Sequence, residues 1–170
     1  VLSNSLRFNE FLMSYTSANP FVVPGPLTLA TNQEIERRFL MANAYFGVSE
    51  KTFRETVNSK MYMKYLFSHY YSSHQPKRGM LSPKKKNTHI SETLMPEKEF
   101  ERFLRHFRKV KESLNPDFHK EVQYIVATPY DLGNPSTLLK NIGNNAQIVY
   151  EHNSSTLFQN RSWKIWKVDN

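Results

Sequence analysis

The sequence predicts an α+β fold in which a bundle of about five helices is followed by a small sheet with one helix. Apolar residues recur at helical spacing through the first part of the chain. After Pro116, short runs of β-branched and aromatic residues alternate with turn residues. The chain has 170 residues, of which 39% are hydrophobic and 14% aromatic. This composition is enough to bury one core and argues against wholesale disorder.

A first helix is predicted over residues 3–17, with Ser3 or Asn4 as its N-cap. Four apolar side chains fall at helical spacing in it: Phe8, Phe11, Leu12 and Tyr15. Pro20 ends the helix. The proline-rich segment 19–30 is then predicted to be extended, because each proline disfavours the helical conformation in the residue before it.

Three further helices are predicted in the first half of the chain. The second begins near Thr31 or Asn32 and ends at Gly47, a residue type suited to a helix C-terminus. A third spans residues 49–57. A fourth begins at residue 58 or 59 and continues to about residue 72, where aromatic residues again recur at helical spacing.

The fifth helix begins at Pro96 and is stopped by Asn115 and Pro116. Its apolar face is regular, with Lys111 as the one polar residue on it. The remaining elements are a helix over 135–142 and short strands over 122–127, 147–150, 156–158 and 163–168. In the last strand Trp163 and Trp166 are three residues apart, so we expect them on opposite faces of the sheet.

These elements divide the chain into three regions. Residues 1–73 form a helical region that includes the extended segment, and residues 96–170 form a helix followed by a small mixed α/β region. Between them, residues 74–95 are predicted to be a basic loop. Within it, residues 74–87 contain prolines, a glycine and five basic residues without any acidic residue.

The net charge is the most informative functional signal. It is +8, with a pI of about 9.6, which favours a polyanionic partner. The basic residues concentrate in the loop and on one face of the fifth helix, and both are predicted to contact RNA phosphates. The predicted RNA-binding residues are Lys77, Arg78, Lys84, Lys85, Lys86, Arg102, Arg105 and Lys109.

Signatures of catalysis are missing from the sequence. The chain has no cysteine, which excludes disulfides, thiol catalysis and cysteine-ligated zinc. The six histidines do not fall at metal-ligand spacing, and no hydrolase or phosphate-binding motif occurs. We therefore predict a binding protein and no enzyme, with no catalytic residue, metal, cofactor or small-molecule substrate. The longest apolar runs fall far short of the roughly 18 residues of a membrane span.

Three segments carry a resemblance to a known family: 19–26 (NPFVVPGP), 34–40 (EIERRFL) and 45–50 (YFGVSE). They resemble the fungal form of a mitochondrion-specific protein of the large ribosomal subunit, the one numbered fifty in current nomenclature. The resemblance covers mostly residues 19–72. It implies a location in the mitochondrial matrix, with ribosomal RNA and other ribosomal proteins as partners. It also implies import through a cleaved transit peptide, which fits a chain that begins at Val1.

Two alternatives remain open at this point. One is a free-standing nucleic-acid-binding regulator. The other is an acyl-carrier-like protein, because the helical part of the family is similar to an acyl-carrier fold. Such a carrier holds its prosthetic arm on a serine in an Asp-Ser-Leu context. The nearest candidate here, Ser59, stands between Asn58 and Lys60, so no phosphopantetheine group is expected.

Overall fold

The computed structural model describes residues 1–23, 29–57, 97–114, 116–129, 131, 133–142, 146–156 and 159–169. Within these residues it contains five α-helices, a short 3-10 helix and one antiparallel sheet of three strands, so the predicted α+β class is confirmed. The helices are α1 Leu6–Tyr15, α2 Asn32–Tyr45, α3 Glu50–Val57, α4 Glu97–Glu112 and α5 Pro135–Ile142, and the 3-10 helix is Pro116–Glu121. The strands are β1 Tyr124–Ala127, β2 Ala146–Thr156 and β3 Gln159–Val168.

Several predicted elements fall on residues that the structure does not describe. The predicted fourth helix and the basic loop lie outside the described residues, as do residues 24–28 of the proline-rich segment and Pro96. The predicted second, third and fifth helices correspond to α2, α3 and α4. The caps follow the expected chemistry, with the Thr31 hydroxyl accepting from the Glu34 N–H at 3.3 Å.

The sheet has the strand order β1–β3–β2, and all its pairs are antiparallel. The strands β2 and β3 form one long hairpin, which pairs Ala146 with Val168 at one end and Thr156 with Gln159 at the other. The strand predicted at 147–150 is part of the longer β2, because pairing with β3 keeps the polar residues up to Thr156 extended. Residues 157 and 158 of the strand predicted at 156–158 lie outside the described residues. A bulge between Ile148 and Tyr150 shifts the register.

The N-terminal segment lies beside the outer edge of β1. Leu2 forms a parallel bridge with Ile125, since the Leu2 N–H donates to Tyr124 O at 2.8 Å and Leu2 O accepts from the Val126 N–H at 2.9 Å. One edge of the sheet is thus covered by this segment. On the opposite side β2 is the last strand in the order, so it forms the other edge.

Four phenylalanines stack where α2, α3 and α4 meet: Phe39, Phe53, Phe103 and Phe107. The rings of Phe53 and Phe107 lie almost parallel at 3.9 Å between centroids, and those of Phe39 and Phe103 at 6.2 Å. All four side chains are fully buried. Lys111 remains on this side of α4 because its ammonium reaches solvent, donating to Val48 O at 3.2 Å and lying 5.5 Å above the Phe107 ring.

The sheet joins the same core through one of its two faces. Trp166 on β3 is 1% exposed and belongs to the same core cluster as Phe118 of the 3-10 helix, whose ring stacks on Tyr45 at 4.0 Å. Trp163 lies on the other face, where its ring meets Phe8 of α1 at 5.8 Å. The predicted placement of the two tryptophans on opposite faces is confirmed.

α1 differs from its prediction in its cap and in its buried face. Its N-cap is Ser5, whose hydroxyl accepts from the Phe8 N–H at 3.3 Å, and neither Ser3 nor Asn4 has this role. The helix buries Leu6, Asn9 and Leu12. Two of the aromatic residues that predicted the helix, Phe11 and Tyr15, are instead 51% and 77% exposed.

Two glycines allow the loop before α5 to lie against the end of α2. Gly47 follows α2 with a φ of +65°, a conformation that side chains disfavour. Gly133 lies so close to Phe46 that an added Cβ would be 2.1 Å from the Phe46 carbonyl oxygen. The Asn134 N–H donates to this oxygen at 2.8 Å, which leaves the backbone little freedom to move away.

The variant Gly133→Ala should therefore lower the free energy of unfolding by about 2 kcal/mol, because the methyl group forces the loop away from α2. Urea denaturation followed by circular dichroism measures this change. Ser136→Ala, at an exposed position in the first turn of α5, is the control and should change stability by less than about 0.5 kcal/mol. Equal stability of the two variants would contradict the close packing described here.

Candidate nucleic-acid interface

The eight predicted RNA-binding residues fall into two groups. Lys77, Arg78, Lys84, Lys85 and Lys86 lie outside the described residues, while Arg102, Arg105 and Lys109 lie on α4. Counted over the sequence, residues 58–96 contain seven lysines and arginines and one acidic residue. This segment therefore contributes +6 of the net charge of +8. The described part of the chain is close to electrically balanced.

Arg102 turns towards α2 and is held by carboxylates. Its guanidinium forms a two-pronged pair with Glu36, at 2.9 Å for Nη2–Oε2 and 3.0 Å for Nη1–Oε1, and its Nε donates to Glu99 at 3.0 Å. Glu36 is only 12% exposed, and its Oε1 also lies 2.8 Å from His106 Nδ1. Such a bidentate, partly buried pair fixes the guanidinium in place. Arg102 therefore links two helices within the protein.

The other edge of α4 is joined to α3 in the same way. The Arg108 guanidinium donates to both carboxylate oxygens of Glu50, and this lowers the pKa of Glu50 and raises that of Arg108. Across the same interface Arg54 of α3 donates to Glu101 at 3.0 Å. Three long-range ion pairs thus surround the phenylalanine stack.

Arg105 and Lys109 have no such partner among the described residues. Both side chains are exposed, and they lie four residues apart, so they are neighbours on the surface of α4. Lys109 also borders a groove of about 360 Å³ between α2 and α4, whose other charged or ionisable side chains are Glu36, Arg37, Arg102 and His106. Their charges are therefore exposed to solvent and are not neutralised by a carboxylate of the described residues.

Opposite charges near the start of α2 partly neutralise each other. Glu34 accepts hydrogen bonds from Arg37 and Arg38, and the guanidinium of Arg37, followed by that of Arg38, lowers the pKa of Glu34 to about 2. Arg37 also reaches Glu121 of the 3-10 helix at 3.4 Å. The arginines of α2 are thus used within the fold, as Arg102 and Arg108 are.

A cleft of about 380 Å³ between α1 and β3 was not predicted from the sequence. It is lined by Ser5, Arg7, Phe8, Phe11 and Trp163. The sequence shows the aromatic spacing in α1 and predicts a helix from it, but not a cleft. The spacing alone gives no signal for which face of α1 is buried, and the structure buries Leu6, Asn9 and Leu12.

The edge strand β2 presents a second apolar surface. Ile148, Val149 and Tyr150 are each about half exposed, and they surround the bulge in the strand. An exposed edge strand with apolar side chains is typical of a surface that meets another chain.

Other kinds of site find little support among the described residues. No group of three or more metal-ligating side chains comes together in them. None of the helices that they form is long and apolar enough to cross a membrane.

The carboxyl of Asp131 is unusual, because burial raises its pKa to about 7 although two hydrogen bonds from Thr128 act in the opposite direction. These bonds, 2.5 Å from the backbone N–H and 3.2 Å from the hydroxyl, close the turn after β1.

No protein-family model, no curated protein and no solved structure matches this chain. Its class is therefore inferred from its own charge distribution and surfaces, and from the resemblance of residues 19–72 stated above.

The ion-pair geometry predicts different effects for two neighbouring arginines. Arg102→Gln leaves the partly buried Glu36 without its main partner and should lower the free energy of unfolding by about 1 kcal/mol. Arg105→Gln should change stability by less than about 0.5 kcal/mol but weaken RNA binding. Urea denaturation and filter binding of RNA measure the two effects. Equal losses of stability in both variants would contradict the assignment of Arg102 to the fold.

The raised pKa of Asp131 predicts a pH dependence of stability. Between its usual pKa of 3.8 and its folded value of about 7, the folded state binds the proton more tightly than the unfolded chain. This carboxyl therefore destabilises the protein increasingly as the pH rises through that range. In Asp131→Asn the loss should disappear, so the difference from the parent should change by about 2 kcal/mol after allowance for partial exposure.

Thermal or urea denaturation at several pH values between 4 and 7 tests this dependence. Asp169→Asn, at an exposed position after β3, is the matched control. If the stability curves of Asp131→Asn and the parent ran parallel across this range, the buried carboxyl would not titrate as described.

Proposed function

We propose that this chain is a structural constituent of the large subunit of the mitochondrial ribosome, in the mitochondrial matrix, where it contacts ribosomal RNA and neighbouring proteins. The observation that carries the proposal is the distribution of charge. Residues 58–96 hold +6 of the net +8, while most arginines of the helical core are paired with carboxylates inside the protein.

Concentrated lysines and arginines without acidic neighbours are suited to phosphate backbones. Each phosphate that they neutralise releases condensed counterions, and this release provides affinity that decreases with salt. Arg105 and Lys109 on α4 add two exposed cations to this set. The contacts require no sequence preference, which is the expected behaviour of a protein held in place by an assembly.

The apolar surfaces support a location among other proteins. Ile148, Val149 and Tyr150 expose apolar area on an edge strand, where a neighbouring chain can pack or add a strand. In an assembly this area is covered, whereas on a free-standing regulator it remains in water. The exposed edge therefore favours the ribosomal alternative over a free-standing nucleic-acid-binding protein.

The mitochondrial ribosome is proposed as the assembly because three segments resemble the ribosomal family: NPFVVPGP, EIERRFL and YFGVSE. The family implies no catalytic residue, and the proposal includes none. Within the proposal the protein acts by filling space between RNA and protein and by neutralising phosphates.

The test is sedimentation of a mitochondrial lysate through a sucrose gradient, with detection of the tagged chain. The parent should sediment with large subunits. A quadruple variant, in which glutamine replaces Lys77, Lys84, Lys85 and Lys86, should be released from large subunits at lower salt than the parent. For its binding to RNA, the slope of log K against log salt should become shallower by up to about three or four, since each lost phosphate contact removes about 0.7 to 0.9.

The matched control removes the same charge from parts of the folded body away from α4: Lys51, Lys120, Lys140 and Lys167→Gln, all at exposed positions. It should sediment as the parent does in the same salt washes. Equal release of both quadruple variants would show that only total charge matters. Sedimentation of the parent away from large subunits would exclude the ribosomal location, and tight sequence-selective binding by the free chain would favour the regulator.

A further inference from the structure

The exposed side of α1 carries an aromatic row that the fold does not use for its core. Phe8, Phe11 and Tyr15 follow one another along the helix, with ring centroids 6.5 Å apart for the first pair and 4.9 Å for the second. Phe11 and Tyr15 are more than half exposed, while Leu6 and Leu12 of the same helix are buried. The row therefore lies on the outer surface, next to the cleft bordered by Trp163.

The cleft combines flat apolar walls with a single charge. Trp163 meets Phe8 edge to face at 61°, so its ring and that of Phe11 provide surfaces in different orientations around a volume of about 380 Å³. Arg7 is the only charged residue among the described side chains that line it, and no carboxylate lines it. Volumes of this size hold small organic ligands of a few rings.

We propose that this cleft binds an unpaired nucleotide of RNA, with the base stacked on Phe11, its edge against the Trp163 ring and a phosphate on the Arg7 guanidinium. The inference rests on the proposed function, since it names a second, distinct RNA element for the same partner. Stacking on aromatic rings is the common way in which proteins hold unpaired bases, and it tolerates any base. Arg7 and the absence of a carboxylate from the described lining favour an anionic occupant, and the flat aromatic walls favour a nucleotide base over an acidic peptide.

The structure also fixes the aromatic platform in advance. Trp163 lies opposite His152 of β2, one residue before the part of β3 that also pairs with β1, and the next tryptophan of β3 is buried in the core. α1 is held at its start by the Ser5 cap and along its length by Leu6 and Leu12. A base entering the cleft would meet rings that are already positioned, so little ordering would oppose binding.

Fluorescence anisotropy of the full chain at low salt tests the proposal with two probes: a labelled single-stranded oligouridylate and a duplex RNA of the same length. In a duplex the bases are stacked on each other and are not accessible to the cleft. Phe11→Leu keeps an apolar side chain but removes the ring. It should raise the Kd for the single strand about tenfold and leave the duplex within about twofold, as expected for the loss of one stacked base.

Tyr150→Leu is the matched control, because Tyr150 and Phe11 are both aromatic and both 51% exposed. It should leave both affinities within about twofold of the parent. Tyr15→Leu is a second probe of the row, at a side chain 77% exposed whose loss leaves the core intact. Since Tyr15 extends the platform beyond the cleft, this variant should weaken single-strand binding by about threefold.

The outcomes separate this inference from the proposed function. If Phe11→Leu and Tyr15→Leu bind the single strand as the parent does, the cleft does not hold a base. Weaker binding of the quadruple lysine variant to both RNAs would then leave the proposed function standing. If neither set of changes affects RNA binding, both proposals fail. If Phe11→Leu leaves RNA binding unchanged but weakens attachment to the particle, the cleft binds a protein and the inference is overturned.

Discussion

The packing of α4 against α2 and α3 is the interaction on which the rest of the structure depends. Its phenylalanines complete a stack with Phe39 and Phe53, and ion pairs at both edges fix the helix along its length. This packing also has a topological consequence. Val57 at the end of α3 and Phe100 at the start of α4 belong to the same core, so the basic segment 58–96 is attached to the body at both ends.

The basic residues of the chain therefore fall into two groups, which differ in whether a carboxylate of the protein neutralises them. An arginine that faces a partly buried glutamate, as Arg102 faces Glu36, stabilises the junction of two helices. A lysine surrounded by other lysines gains nothing inside its own protein, because like charges repel each other and lower the stability of a compact state. An external anion such as a phosphate backbone relieves this repulsion. The contrast between the balanced body and the basic segment is thus the main physical reason to infer a nucleic-acid partner.

The sequence predicted the helices well because their signals are local. Periodic apolar residues predict that a segment is helical. For α2, Thr31 before it and Gly47 after it also predict its bounds within a few residues. The features that it did not predict depend on distant residues. Helical spacing in α1 does not say whether Phe11 and Tyr15 or Leu6 and Leu12 face the core. The pair Arg102–Glu36 joins residues 66 apart, and the length of β2 depends on its pairing with β3. The candidate site was accordingly predicted as a charge pattern, without the division of its arginines.

The difference between the paired arginines and the lysines of the basic segment determines how the proposed interface responds to salt. Ions screen the partly buried pair between Arg102 and Glu36 weakly, whereas exposed contacts between lysines and phosphates are lost as counterions compete for the backbone. The stacked phenylalanines are insensitive to ionic strength in this range, so salt that strips the chain from RNA leaves α2, α3 and α4 packed. Release in a salt wash therefore measures the interface and not unfolding. A stacked base in the aromatic cleft would resist such a wash, because its affinity comes from ring contact more than from charge. If both proposals hold, single-strand binding that remains at high salt comes from the cleft, and most of the salt-sensitive binding comes from the basic segment.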